Sequence, residues 1–281
     1  MISIQKKKFY LATLLSSVIL GIVLITLLYS FSWTIIIDSY TEYNGALGVV
    51  LVITGRIGIV TGMTIYTFIQ WFKQEEQYFS DLPFLFGLFF LLLVFGKALD
   101  MYNAFIFFQV GEVMVLIITK LRFIIMILDF LPMIYLSIGM ILFSLSLKEK
   151  NRSLRDEKRL NAVRVRIIIL VIISELTAIL TINSISVISI LYPIVVIPSL
   201  ITIVWLFNFA YRNKRLSQVN ASILWIGFTA YLVSQIVRPL VQFIIGESAL
   251  FLIIAETLDL TIFVLIFIGF YKRANYSVVE T

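Results

Sequence analysis

The sequence predicts an all-α fold, a polytopic bundle of eight transmembrane helices, on three observations. Hydrophobic residues fill 61% of the 281 positions and charged residues only 14%, against roughly 45–50% and about 25% in soluble domains. So few polar side chains could not cover a water-exposed surface. The apolar residues fall into runs of about 20, the length needed to cross roughly 30 Å of hydrocarbon as a helix. The basic residues gather in alternate segments between those runs, as they do in cytoplasmic loops.

The whole chain, 1–281, reads as one transmembrane domain. The first span, 9–36, follows Lys6, Lys7 and Lys8. Its apolar run is too long for a cleaved signal peptide and no small-residue cleavage site follows, so it is expected to be an uncleaved signal anchor. The second span, 46–72, holds Gly48, Gly55, Gly58 and Gly62. The pair Gly58 and Gly62 lets another helix approach closely. A partner within the chain is favoured, with an oligomer contact as the alternative. The third span, 82–108, carries Phe84, Phe86, Phe89, Phe90 and Phe95, expected against lipid and packed neighbours, and the fourth is 121–147.

After the segment 148–166 come a fifth span, 167–183, and a sixth, 188–211. Only 184–187 separates them, and Pro193 and Pro198 interrupt the sixth, so a re-entrant hairpin would reduce the count to six. The seventh and eighth spans are 222–245 and 248–271. Trp33, Trp71, Trp205 and Tyr211 lie near span ends, where interfacial aromatics belong. The two halves, 1–147 and 167–271, place Lys97 and Arg238, and Asp129 and Glu256, at similar points, which suggests a four-plus-four parallel repeat.

With the N-terminus in the cytoplasm, the inside segments hold 17 of the 22 basic residues. The outside loops carry Asp38, Glu42, Glu112 and Glu247 and no Lys or Arg. Both termini are then cytoplasmic, and the plasma membrane is the expected location. This orientation accounts for the net charge of +6, so no nucleic-acid partner is inferred. The basic loop 148–166 reads as a helical extension along anionic headgroups, or else as a docking segment for a cytoplasmic partner. The Asn-x-Ser sequons at Asn151, Asn220 and Asn275 fall on inside segments, where no glycan is expected.

The chain has no cysteine and no histidine. Disulfides, the usual zinc and haem sites, and catalysis through His or Cys are thereby excluded. No cofactor, metal site or catalytic residue is assigned. Ion-channel filter, P-loop and prenyltransferase aspartate motifs are absent. A retinal pigment of the microbial rhodopsin type needs a lysine midway along the last helix, and Phe263 stands about one turn after Asp259 instead.

Ten charges remain inside the spans: Arg56, Lys97, Lys120, Arg122 and Arg238, with Asp100, Asp129, Glu175, Glu256 and Asp259. Each costs roughly 2.5–3.5 kcal/mol at mid-bilayer even on the mildest scale, so such groups pair or line a wet cavity. Hairpin geometry suggests the partners. Lys97 and Asp129 lie 16 residues either side of an outside turn near Val113, hence at one depth, and an ion pair between them is the best-supported contact. Asp100 and Arg122 fall within about 6 Å of each other in height. Arg238 and Glu256 flank the turn at Gly246 by 8 and 10 residues. Arg56 has no level partner on the first span, and Asp259 or Glu175 could neutralise it. Lys120 and Arg122 could instead snorkel to the interface.

Arg56, Lys97, Asp100, Asp129, Glu175, Arg238, Glu256 and Asp259 therefore form the expected ligand or ion chamber, opening to the outside. The leading functional reading is a non-catalytic receptor or sensor for a small ligand or ion. A secondary transporter, proton-coupled through Glu175, Asp259 or Glu256, is the alternative. A membrane-embedded lipid enzyme using two carboxylates is the third reading, weakened because an ion-paired carboxylate has the wrong pKa for a general acid.

Overall fold

The structure is a computed structural model and describes residues 2–107, 109–147, 153–246 and 248–274. Lys148, Lys150, Asn151, Arg152, Glu247 and Asn275 lie outside the described residues. The described residues form helices α1 (Ile2–Phe31), α2 (Trp33–Glu42), α3 (Ala46–Lys73), α4 (Leu82–Ile106), α5 (Glu112–Ser146), α6 (Glu157–Thr181), α7 (Ile185–Arg212), α8 (Ala221–Ile245) and α9 (Ala249–Tyr271). They group into two compact units, Met1–Asp129 and Phe130–Thr281.

Among the described residues, seven of these helices are long and apolar enough to cross a membrane: α1, α3, α4, α5, α7, α8 and α9. Seven of the eight expected spans are among these candidates, and the remaining one is not confirmed. The fifth expected span, 167–183, is the C-terminal part of α6, whose first ten residues carry Glu157, Lys158, Arg159, Arg164 and Arg166. The apolar part that remains is shorter than the roughly 20 residues a crossing needs and has Glu175 within it. The sequence from 157 to 166 is thus a helical extension, continuous with the apolar part.

The first expected span, 9–36, is also broken. It divides at Ser32 into α1 and α2, and the Ser32 hydroxyl meets the Tyr102 hydroxyl at 2.7 Å. Further ties hold these two helices to α4. Tyr29 Oη donates to the Ala98 carbonyl at 2.8 Å, and Ser39 Oγ donates to the Phe105 carbonyl at 2.6 Å. Ile36 joins Tyr102, Ile106 and Ile118 in a small buried cluster. At the other end of α1, Lys7 Nζ donates to the Gln74 carbonyl at 2.9 Å and Tyr10 packs on Trp71 and Phe79.

The first unit centres on the α3–α4 pair, which packs closely because Phe68 lies over Gly87. Phe86, Phe89 and Phe90 share one face of α4 and are fully buried. Trp71, expected at an interface, is only 1% exposed. Its Nε1 donates to the Tyr78 carbonyl and to Asp81 Oδ2, both at 3.2 Å, and Asp81 Oδ2 also accepts from the Tyr78 amide at 2.8 Å. The indole thus seals the α3–α4 turn, where a buried N–H must find acceptors. Exposed Tyr78 also donates to Glu76, and that carboxylate raises the phenol's pKa above its usual value near 10.

Among the described residues of the first unit, nothing packs against Gly58 or Gly62. A Cβ built at Gly55, Gly58 or Gly62 meets nothing within 4 Å. Alanine at Gly58 should therefore leave the unfolding midpoint in detergent unchanged or raised, because Ala gains up to about 1 kcal/mol over Gly in a helix interior. A marked fall would place an unseen neighbour against that face.

In the second unit, α8 packs closely on both α7 and α9. Phe207 and Phe228 stack with centroids 5.2 Å apart, and Tyr231 meets Phe263 edge-on at 5.1 Å. Gly227 receives Ile266, and Gly269 receives Leu224. Asn220 caps α8 by accepting from the Ile223 amide at 3.2 Å, and its own amide donates to the Gly269 carbonyl at 2.8 Å. The α8–α9 turn passes through Gly246 at φ 75°, a conformation glycine adopts without a Cβ clash. α6 is tied to α5 near its charged end, where the Arg164 guanidinium lies 3.9 Å from the Tyr135 ring centroid and against Gly139.

Candidate functional site

Three polar places arise inside these helices. The first lies in the first unit, on α3, α4 and α5. Asp100 comes from one turn of α4 beyond Lys97, and their side chains pair at 3.8 Å. Arg122 grips Asp100 with two nitrogens: Nε meets Oδ1, and Nη2 meets Oδ2 at 3.1 Å. This fork is the geometry in which a guanidinium binds a carboxylate most firmly. Arg122 Nη1 also stands 4.0 Å from Asp129 Oδ2. Gly96 makes room for this, since a Cβ there would sit 3.3 Å from Asp129 and 3.4 Å from Arg122. Buried Arg56 of α3 acts electrostatically on both Asp100 and Asp129.

The expected nearness of Asp100 and Arg122 is thus realised as an ion pair, and Arg122 does not merely snorkel. Lys97 and Asp129 enter the same cluster through the chain Lys97–Asp100–Arg122–Asp129. Arg56 acts on Asp100 and Asp129, groups that sequence reasoning did not name for it. α4 ends at Ile106 and α5 begins at Glu112, so Val113 already lies within α5 and the turn precedes it. Every depth estimate taken from that hairpin therefore moves by a few residues. Asp100 remains 35% exposed at its side chain, whereas Asp129 is 3% exposed as a residue. Asp129 Oδ1 has no hydrogen-bond partner among the described residues.

The second place lies in the second unit, between α8 and α9. Arg238 Nη1 meets Glu256 at 3.8 Å, the pair expected from the Gly246 turn. Its Nη2 makes a closer contact, 2.6 Å, with Asp259 Oδ2 and also donates to the Ala255 carbonyl at 2.9 Å. Ser234 Oγ donates to the other Asp259 oxygen at 3.0 Å. Ser234 was not a candidate from sequence. Its spacing is the missed signal, since it lies four residues before Arg238 and so shares its helix face. Glu256 and Asp259 are 3% and 2% exposed.

Glu175 is elsewhere. It lies in a groove of about 450 Å³ in the second unit, lined by residues of α5, α6 and α7, including Ile138, Val171, Ile194 and Pro198. None of Ser234, Arg238, Glu256 or Asp259 lines it. Within the first unit Arg56, Lys97, Asp100 and Asp129 thus share one cluster, and within the second Arg238, Glu256 and Asp259 share another while Glu175 lines a groove.

The clusters differ in chemistry. The first gathers three cations, Arg56, Lys97 and Arg122, about two carboxylates. The second sets two carboxylates on one guanidinium. Among the described residues, no group of three carboxylate, His or Cys side chains is placed to hold a metal ion. The helices give the chain the make-up of a multi-pass membrane protein. No protein-family model matches the chain, and no curated protein or solved structure matches it.

Proposed function

We propose that this chain is a non-catalytic membrane receptor or sensor module, and that a small ligand or ion binds at the Arg56–Lys97–Asp100–Arg122–Asp129 cluster. The observation that supports this reading most is the state of Asp129. A buried carboxylate oxygen with no hydrogen-bond donor among the described residues sits beside a reachable, ion-paired Asp100. Leaving a buried acceptor unsatisfied costs about 1–3 kcal/mol. A ligand that supplies a donor there removes that cost and engages the cluster's cations with any anionic group it carries. Register alone does not require an orphaned oxygen.

The test is thermal unfolding of the purified protein across amino acids, small carboxylates, inorganic phosphate and monovalent cations. At least one probe should raise the midpoint of the natural chain and fail to raise that of Asp129→Asn. If no probe shifts the midpoint, or if Asp129→Asn responds equally, the reading fails.

A second reading, secondary transport, is favoured by Glu175 standing beside the proline-interrupted α7. Midplane carboxylates suit proton relay. Uptake into proteoliposomes driven by a pH gradient, lost in Glu175→Gln, would support transport over sensing.

A further inference from the structure

The groove between α5, α6 and α7 has a one-sided hydrogen-bond inventory. Its walls are aliphatic Ile, Val and Leu side chains with Ala178, and Ser174, Glu175, Ser199 and Thr202 are the polar members. No lining side chain carries an N–H or a positive charge. The three hydroxyl hydrogens are already committed to their own helices. Ser174 donates to the Val171 carbonyl, Ser199 to the Val195 carbonyl and Thr202 to the Pro198 carbonyl, each at 2.8 Å. Each hydroxyl then offers the groove only lone pairs. Pro198 has no N–H to give the carbonyl of Ile194, which therefore lacks its usual helical donor.

Glu175 completes the set. It makes no hydrogen bond or ion pair with any described residue, and no neighbouring charge acts on it. Everything polar in the groove accepts; nothing donates. The volume of about 450 Å³ falls within the roughly 300–1,000 Å³ of small-ligand pockets, which are apolar with a few placed polar groups.

We infer that this groove binds an aliphatic amphiphile with a protonated amine head, the ammonium on Glu175 and the hydroxyl oxygens, the chain along the Ile, Val and Leu wall. An ammonium supplies both the positive charge and the N–H donors that the lining lacks. A carboxylate or phosphate head would meet the Glu175 charge with no compensating donor. This site shares no residue with the Asp129 cluster and does not rest on the sensor reading.

The experiment uses the full chain in phosphatidylcholine nanodiscs, with decylamine, decanol and decanoate as probes and binding read by titration. Decylamine should bind at least about tenfold more tightly than the other two, as expected when a charged hydrogen bond is gained. Glu175→Gln should lose that preference and Glu175→Asp should keep most of it. Ala178→Phe, which fills the groove and leaves the carboxylate in place, should weaken decylamine to a similar extent. Helical circular dichroism checks that each variant folds. Adding phosphatidylethanolamine to the nanodisc separates two sources of the ammonium: displacement of decylamine points to a lipid headgroup, and no displacement to a free amine. Equal decylamine binding by the natural chain and Glu175→Gln, or decanoate binding as tightly as decylamine, would overturn the inference.

Discussion

Replacing Arg238 with Met is expected to lower unfolding stability by about 3–5 kcal/mol, the cost of breaking a buried ion pair by removing one partner. Arg238 lies 3.8 Å from Glu256 and 2.6 Å from Asp259, two carboxylates that are almost fully buried. Without the guanidinium the two negative charges share a low-dielectric space, and Ser234 remains the donor to Asp259. The Ala255 carbonyl also loses a donor. Adding Glu256→Gln and Asp259→Asn to the Arg238→Met chain should recover most of the loss, because neutral groups of the same shape carry no charge to desolvate. Chemical unfolding in micelles measures both. If the triple variant is less stable than Arg238→Met alone, the charges are not what holds this place together.

The second large effect is steric. At Gly269 an added Cβ would sit 2.9 Å from the Leu224 backbone nitrogen and 2.9 Å from its Cγ. A backbone atom cannot rotate aside, so Gly269→Ala must push α8 from α9 and strain the hydrogen bond from the Asn220 amide to the Gly269 carbonyl. Overpacking of this kind costs typically 1–3 kcal/mol. Gly227→Ala meets Ile266 Cγ1 at 2.8 Å and its nitrogen only at 3.4 Å. That side chain can turn, so the loss should be smaller. The ranking Gly269 above Gly227 above Gly58, read from unfolding midpoints, tests whether backbone approach sets the order.

The sequence revealed most of this architecture for a simple reason. A bilayer imposes one length on every span, and runs of that length with polar brackets are plain to read. α3, α8 and α9 begin and end within a residue or two of their expected limits. The helix break at Ser32 was not readable, because neither Gly nor Pro marks it. What accompanies it is a contact with Tyr102, 70 residues away. α6 is not among the seven candidates because the charged residues before Ile167 belong to the same helix, although Ile167 onwards is apolar.

Charge pairing was legible where the turn was tight. Gly246 fixes the α8–α9 hairpin, so the depth of Arg238 against Glu256 followed from counting. The closer contact with Asp259 was missed because an arginine reaches nearly a full turn along the facing helix, which residue counting ignores. Asp100 and Arg122 were likewise found together, although the turn between α4 and α5 was misplaced. Glu175 was assigned to a chamber with the others on depth alone. Depth says nothing of azimuth, and within the second unit packing sets it in a groove that Arg238, Glu256 and Asp259 do not line.

The partners of the second cluster are near neighbours along the chain, with Ser234 and Arg238 25 and 21 residues from Asp259. During synthesis, α8, the least apolar of the seven candidate spans, emerges first and carries its guanidinium. Entering lipid alone, it would expose a lone cation. The strongly apolar α9 follows after only a short turn and brings both counter-ions, so the two can be delivered from the translocon as a single neutralised helical hairpin. In that order of events the guanidinium acts as a timing device for biogenesis, joining the fate of a marginal segment to the one translated after it.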